Sequence, residues 1–474
     1  MGKYTNWVPK KIRQKLWPYK AKLLGLPLEN VPVAAREVCR KNLSPLEETM
    51  LAFSEKYGMG YIPAMLERGW ETPGKMFDEL GSIFEQNRKL FILGEAADVE
   101  RLRHKLSFLD VPIDALAIPA NKLLNDPAEL KRISELQGFT LVIAYQAAGW
   151  PNAVSSVLIT TGKYYLNVNM FCEGDFIGTI PKTGDYCGIF AVYTKGKVYL
   201  KHQNMLVTTI CNLNCEYCLN YNPYNKHQKH FDIQELKRCV DIYFSKIDRV
   251  GFFELTGGEP TLYPDLQELI LYVAQKYGGK IDEFTFVTNG STVLSDEFCE
   301  LLKENDVIVL IDDYTMAVPG LEKNLNELKE KLKKIGTKFI VYPQVREFLK
   351  SFPPKRENMD LTEEGLKEKY RACTIGVQNL RDGRLCSCTY HAFAVNAGLI
   401  PDNISDWFDM SAMPDDLLSK KALIEFRCGF NQKGYTAWCR FCNGVQTINT
   451  NYAPAAEQVK GRLEWDINDP TYLD

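Results

Sequence analysis

From about residue 203 the chain repeats one pattern: a short apolar run, a polar break, then a longer stretch with apolar residues at helical spacing. The runs predict strands at Met205–Thr209, Gly251–Leu255, Glu283–Thr288, Val307–Ile311 and Lys338–Tyr342, and the amphipathic stretches predict helices over 232–247, 265–277, 295–304 and 321–335. Such alternation implies a parallel sheet with right-handed crossovers, open or closed as a barrel, with any site at the C-terminal rim of the strands. Upstream, Lys89–Gly94, Ile113–Ile118 and Thr140–Tyr145 read as strands, with helices over Ala97–Leu109 and Pro127–Leu136 between them. That is a small Rossmann-like α/β domain over 85–150. Gly94-Glu-Ala-Ala lacks the glycine spacing of a dinucleotide fingerprint, so no nucleotide is assigned to it. Residues 151–202, rich in Thr, Tyr, Val and Gly, predict a β-rich connector of antiparallel strands. Residues 1–84 read as a helical basic N-terminal segment, in which Val8, Ile12 and Leu16 recur every four residues until Pro18. The rhythm stops near residue 370; a cysteine- and turn-rich domain follows over 371–450, and 451–474 reads as a tail. The expected fold class is α/β, with a partial (βα)6 barrel over 203–370.

Composition narrows the function classes. Hydrophobic residues make up 45% of the 474 and charged residues 25%, values of a globular protein, which excludes a disordered or fibrous chain. A net charge of −3 argues against a surface given over to nucleic acid, and no nucleic-acid partner is predicted. No apolar run approaches the roughly 20 residues of a membrane span, and no signal peptide precedes the basic start, so a cytoplasmic location is expected. Within residues 1–25 stand Lys3, Lys10, Lys11, Arg13, Lys15, Lys20 and Lys22 and no acid. This segment is either a packing helix with a solvated basic face or a contact for an anionic surface or carrier. The 14 cysteines are too sparse for a disulfide scaffold and are clustered, which points to metal.

The first cluster, Cys211-Asn-Leu-Asn-Cys215-Glu-Tyr-Cys218, follows the first barrel strand. Three thiolates on one short loop can hold three irons of a cubane and leave the fourth open, as a catalytic rather than closed site requires. A zinc site is the structural alternative, with His227 or His230 as a fourth ligand.

C-x3-C-x2-C with an aromatic before its third cysteine, directly after a strand, resembles the radical S-adenosylmethionine (SAM) superfamily. Two further segments strengthen the resemblance: Thr256-Gly257-Gly258-Glu259-Pro260 after the second strand, like the family's GGEP motif, and Thr288-Asn289-Gly290 after the third, like its TNG segment. The glycines would let the backbone approach a ligand, and Glu259 can accept hydrogen bonds from an ammonium. The resemblance implies that Cys211, Cys215 and Cys218 hold a 4Fe-4S cluster whose open iron chelates SAM, with Tyr217 near the adenine and Thr288 and Asn289 near the ribose and methionyl part. It implies reductive cleavage of SAM to methionine and a 5′-deoxyadenosyl radical that takes a hydrogen from substrate. An electron donor such as flavodoxin or ferredoxin would serve the cluster. The resemblance spans residues 203–345 and nothing of 1–200.

Downstream lie Cys373, Cys386, Cys388, Cys428, Cys439 and Cys442, with Arg381-Asp-Gly383-Arg as a hairpin turn among them. C-x9-G-x4-C followed by C-x2-C resembles the auxiliary-cluster domains of the same superfamily, SPASM and the shorter twitch. No cysteine follows Cys442, so one twitch-type auxiliary 4Fe-4S cluster fits better, with Cys373, Cys388, Cys439 and Cys442 as ligands. A zinc ribbon built from these four is the structural alternative. Cys386 falls on the opposite strand face from Cys388, and Cys428 is an alternative ligand, a hydrogen donor or a buried small residue. Cys39, Cys172, Cys187, Cys239 and Cys299 read as buried and inert, and His391 as a surface histidine.

On the substrate side, Asp312 and Asp313 end the fourth strand and can bind hydroxyls or an amine or accept a proton. A capped loop is the alternative. Gln344 and Arg346 follow the fifth strand and can meet a carboxylate or a substrate anion. Twitch-type relatives act on aminocyclitols or nucleotides and SPASM relatives mostly on peptides. Since 85–150 does not resemble a leader-binding winged helix, a sugar-like or nucleotide-linked small molecule is favoured, with net oxidation through the auxiliary cluster. A peptide-modifying maturase is the alternative, and a non-catalytic iron–sulfur electron carrier the alternative of another class.

Overall fold

Residues 81–145, 154, 157–158, 170–172, 186–342, 347–373, 379–427, 433–445 and 448–465 are described by the computed structural model. The basic segment 1–25, Cys39, Gln344, Arg346 and Cys428 lie outside them. The chain packs as two units, residues 1–180 and 181–474.

The first unit holds a four-stranded sheet in the order β2-β1-β3-β4, with β1 Lys89–Gly94, β2 Ile113–Ala117, β3 Phe139–Ile143 and β4 Met170–Cys172. Its pairings are all parallel. The central strand is apolar on both faces, Leu90 and Ile92 on one and Phe91 and Leu93 on the other, as a sheet covered on both sides requires. Helix α1 (Ala96–Leu106) buries Val99, Leu102 and Leu106, and α2 (Pro127–Ser134) starts where the Asp126 carboxylate accepts from Glu129 N.

The described residues of 151–202 depart from the antiparallel reading. β4 is parallel to β3, and Tyr186–Lys195 is a helix, α3. Its run Ile189-Phe-Ala-Val192 has strand composition but is wholly buried, and a helix apolar all round is satisfied by burial irrespective of propensity.

The second unit is built on strands β5 Tyr199–Thr208, β6 Arg249–Gly257, β7 Ile281–Thr288, β8 Val307–Asp312 and β9 Phe339–Tyr342, parallel neighbours in sequence order. Between them run α4 Ile233–Lys246, α5 Leu266–Tyr277, α6 Asp296–Glu304 and α7 Glu322–Ile335. Capping sets their ends: Asp232 accepts from Gln234 N and Glu235 N, Ser295 from Phe298 N, and Gly336 stops α7 at φ 86°. The helices cover one face of the sheet, where Phe253 meets Tyr243 and Phe244, and Phe286 stacks on Phe298. Burying each of these side chains stabilises the fold by about 1.5–3 kcal/mol. The other face carries Asn204, Glu254 and Thr285, which lie side by side in register.

A sixth strand does not join β9 as a (βα)6 pattern expects; the next strand, β10 (Glu347–Leu349), pairs antiparallel with β14 (Tyr452–Pro454). The parallel set is extended instead at the β5 edge by β11 (Asn379–Arg381), to which β12 (Arg384–Cys386) and β13 (Trp407–Asp409) add antiparallel, giving the order β13-β12-β11-β5-β6-β7-β8-β9. The β11–β12 turn has Asp382 at φ 53° and Gly383 at φ 70°, the left-handed pair a two-residue hairpin needs. Gly383 N donates to the buried Cys239 sulfur at 3.2 Å, which ties the hairpin to α4.

Candidate active site

The three-cysteine loop is an excursion from the end of β5. It leaves after a register shift between Leu206 and Thr208 and returns antiparallel to its own start: Thr209 N donates to Lys229 O at 2.9 Å and Phe231 N to Val207 O at 3.2 Å. His230 is held there by Thr208 Oγ1 at 2.9 Å. The rim of β6 clasps the loop, Gly258 N donating to Thr208 O at 2.8 Å and Glu259 N to Ile210 O at 2.9 Å. This approach explains the glycines: a Cβ on Gly258 would lie 2.3 Å from Ile210 O and 2.9 Å from Cys211 Cβ. They admit the close approach of the cysteine loop's own backbone.

Glu259 is 1% exposed and knits the two motifs together. Its Oε1 accepts from Thr261 N at 3.0 Å, Thr261 Oγ1 at 2.7 Å and Thr288 Oγ1 at 2.8 Å, and its Oε2 accepts from Asn289 N at 2.7 Å. Burial pushes its carboxyl above the ordinary range while these donors pull it back. An ammonium would have to use the remaining lone pair on Oε2. Asn289 in turn donates from Nδ2 to Asn212 Oδ1 at 3.0 Å, linking the end of β7 to the cysteine loop.

Cys215 is buried and Cys211 and Cys218 half-buried, amid Leu213, Leu321, Tyr314 and Phe348. Burial first, then their mutual repulsion, pushes the Cys211 and Cys215 thiols up to about 12. Neutral thiols in such a setting ionise when a cation is supplied, and Leu213 N at 3.4 Å from Cys211 Sγ and Gln458 Nε2 at 3.1 Å from Cys215 Sγ are ready donors. The donor set therefore suits a thiolate-ligated metal group. Tyr217, at φ 58°, has the Lys350 ammonium 5.0 Å from its ring centroid.

Asp312 and Asp313 part company. Asp313 Oδ1 accepts from Thr315 N at 3.0 Å and Thr315 Oγ1 at 2.6 Å, which caps the following turn. Asp312 accepts from the Tyr314 hydroxyl at 3.1 Å, and burial raises its carboxyl to about 6. Glu254 feels Asp312 and is raised to about 8, chiefly by burial. Tyr342, paired in register with Asp312, is raised by burial and by Glu254, Asp312 and Glu283. The uncovered face of the parallel sheet is thus acidic. Glu254 escaped sequence reasoning although the signal was present, a lone acid inside the strand Gly251-Phe-Phe-Glu-Leu.

The second group also gathers. Cys442 is raised by burial and by Cys373 and Cys388, and Lys369, lowered by burial, is held up by Cys442, Cys439 and Cys373. The Lys369 ammonium donates to Cys439 O at 2.9 Å and to Cys442 O, placing a cation that sequence reasoning did not foresee beside Cys373, Cys439 and Cys442. Gly444 N donates to Cys442 Sγ at 3.3 Å. Cys386 turns away to pack with Ala392 and Trp407. His391 is buried, not on the surface, 3.9 Å from Asp406, because α8 (Thr389–Asn396) turns it inward. Between the cysteine groups lies an aromatic cluster in which Trp438 Nε1 donates to the Tyr221 hydroxyl at 2.8 Å. Among the described residues no three His, Cys, Asp or Glu side chains converge tightly enough to hold a single metal ion.

A parallel α/β sheet thus presents a three-cysteine loop at the rim of β5, clasped by the backbone of a buried glutamate. The chain carries a radical SAM domain: residues 205–342 match the model of the Radical SAM superfamily. It is 34% identical over 126 residues to an uncharacterized protein of Methanocaldococcus jannaschii, covering 26% of this chain and 41% of that one. It is 32% identical over 149 residues to the GTP 3',8-cyclase of Actinobacillus pleuropneumoniae, 30% of this chain and 41% of that one. A serine-type anaerobic sulfatase-maturating enzyme of Bacteroides thetaiotaomicron is 30% identical over 166 residues, 31% of this chain and 40% of that one. The chain thus spans about two fifths of the length of these curated relatives. No helix among the described residues is long and apolar enough to cross a membrane.

Proposed function

We propose that the protein is a radical SAM enzyme that takes a hydrogen from a small hydroxyl- or amine-bearing substrate, with an auxiliary cluster at the second cysteine group receiving an electron. The observation that carries this reading is the Cys211–Cys215–Cys218 loop held by Gly258 and Glu259 against the β6 rim. Those three cysteines would hold the first 4Fe-4S cluster and Cys373, Cys388, Cys439 and Cys442 the second. When bound, the first cluster supplies the electron that cleaves SAM. The chain's own residues exclude water and move protons: Asp312 accepts the proton lost on oxidation, and Glu254, protonated at neutral pH, donates to a substrate hydroxyl. A carboxylate at Asp312 beside the acid Glu254 opposes a polyphosphate, which favours a sugar-like over a nucleotide-linked molecule. On this reading residues 371–450 are the auxiliary domain and 85–150 a Rossmann-like accessory domain of a cytoplasmic protein that draws electrons from a flavodoxin or ferredoxin.

The direct test is anaerobic reconstitution, reduction and detection of 5′-deoxyadenosine; a reduced, iron-loaded protein that leaves SAM intact would make the chain an electron carrier. Removing Cys373, Cys388, Cys439 and Cys442 together is expected to spare SAM cleavage and stop product formation, read by mass spectrometry. Unchanged product yield would assign that group a structural role.

A second reading, a peptide substrate, is favoured by β9, which ends the sheet and exposes Ile340 (45%) and Tyr342 (48%) on an edge that an extended chain can join. The 30% identity to the sulfatase-maturating enzyme points the same way. Product formation from peptide libraries but not polyols would decide for it.

The buried acids carry their own signature. The folded carboxyls of Glu254 and Asp312 lie near 8 and 6, above their unfolded values, so the folded state binds more protons between about pH 4 and 8. Stability is therefore lost as pH rises through that window. Glu254→Gln should match wild type near pH 4 and be more stable at pH 8.5 by an amount on the order of 5 kcal/mol, by urea denaturation. Equal stability at both pH values would place Glu254 in solvent.

A further inference from the structure

Residues 452–465 do not trail away as a tail. After β14 (Tyr452–Pro454) they run back across the cysteine loop. Glu216 N donates to Glu457 O at 2.7 Å and Val459 N to Asn214 O at 2.9 Å, so Cys215 and Gln458 face each other in an isolated antiparallel bridge. Asn214 Nδ2 holds Val459 O at 2.9 Å and Gly461 O at 2.7 Å. Arg462 donates to Asn222 O at 2.8 Å and Gln228 Oε1 at 2.7 Å, and Leu463 N donates to Pro223 O at 2.9 Å. The segment is fixed to the loop at both ends.

The Gln458 side chain has one permitted orientation. Its Oε1 accepts from Asn214 N at 2.7 Å, and a backbone N–H can face only an acceptor. Its Nε2 therefore donates, to Ala456 O at 2.8 Å and to Cys215 Sγ at 3.1 Å. A neutral amide has been aimed at one sulfur of the triad, and nothing in loop geometry alone demands it.

We propose that residues 454–464 are a built-in clamp on the cysteine loop and that Gln458 is a positioning residue which sets the reduction potential of the cluster this loop holds. The proposal rests on the radical SAM reading above. An N–H donor stabilises negative charge on a ligating sulfur, and the reduced cluster carries one electron more, so the bond favours reduction. The clamp also shields Cys215, which is 7% exposed.

The test uses the full chain and two readouts. In the reconstituted protein, the midpoint of the cluster on the Cys211 loop, followed by electron paramagnetic resonance during redox titration, should become more negative in Gln458→Ala. It should move further in Gln458→Glu, which still accepts from Asn214 N but sets a carboxylate beside the sulfur. In metal-free protein under native conditions, iodoacetamide should alkylate Cys215 at least about threefold faster in Arg462→Ala than in wild type, the equivalent of one hydrogen bond lost from the clamp. Unchanged midpoints in both Gln458 variants would overturn the tuning role, and an unchanged alkylation rate would overturn the clamp. Wild-type protein that takes up no iron at Cys211, Cys215 and Cys218 would sink the radical SAM reading instead, while the alkylation rates would still decide whether the segment clamps the loop.

Discussion

Replacing Cys211, Cys215 and Cys218 together by alanine should abolish reductive cleavage of SAM and leave about half the iron of the reconstituted protein. Two cubanes hold about eight irons, four in each, and the second set of thiols is untouched by the change. The loop should survive, because its path is fixed by main-chain bonds: Thr209 to Lys229, Phe231 to Val207, and the β6 rim to Thr208 and Ile210. Replacing one buried and two half-buried thiols by alanine methyls removes little volume, so a loss of stability of about 1–3 kcal/mol is expected rather than unfolding. Iron analysis and 5′-deoxyadenosine detection on the same sample separate the outcomes. A triple variant that retained all its iron would move the first cluster elsewhere. One that lost all of it would mean that both groups of cysteines assemble as a unit through the Tyr221–Trp438 aromatic cluster.

The parallel strands β5 to β9 were legible because each carries a short apolar run before a chemical motif, and the intervening helices because their apolar residues recur at helical spacing between capping residues such as Asp232 and Ser295. Boundaries moved by a few residues, most at β5, which starts at Tyr199 rather than Met205. What sequence could not convey was pairing between distant segments. β11 joins β5 across some 175 residues, and a three-residue strand carries no period from which to infer it. The helix at Tyr186–Lys195 misled by composition, since a short apolar run rich in Val, Tyr and Thr fits a buried helix as well as a buried strand. At the site, the cysteines and the glycine motifs were visible as spacing. The reason for the glycines was not, because the close approach of Gly258 to Ile210 exists only once β6 lies beside β5. Gln458 gave no local signal at all: one glutamine in a polar segment becomes informative only when the chain folds back onto Cys215.

Glu259→Ala should cost far more than a ligand contact. Four donors converge on that carboxylate, from Thr261 N, Thr261 Oγ1, Thr288 Oγ1 and Asn289 N, and the side chain is 1% exposed. Truncation leaves these donors in a dry rim without an acceptor, and each buried orphan costs about 1–3 kcal/mol. Thr261 Oγ1 can turn to Thr292 Oγ1, 2.9 Å away, but Thr288 Oγ1 only accepts from Gly290 N at 3.1 Å, so its hydroxyl proton loses its acceptor along with the two backbone N–H groups. A net loss of about 3–5 kcal/mol is expected by urea denaturation, from the orphaned amide and hydroxyl donors and the cavity. Iron at the Cys211 loop should fall with it, because the lost side-chain bonds anchor the residue whose backbone N–H holds Ile210 O, one position before the first cysteine. Glu259→Gln isolates the chemistry. Its amide oxygen can replace Oε1 for Thr261 and Thr288, but its NH2 then opposes the Asn289 N–H, so stability should drop by a smaller step. SAM affinity, measured by equilibrium dialysis on protein that keeps its iron, should still fall about tenfold if the free lone pair of Oε2 serves the SAM ammonium. A glutamine variant with full iron and unchanged SAM affinity would leave Glu259 as the bracket between β6 and β7 and nothing more, and the ammonium would belong to another acceptor at the rim.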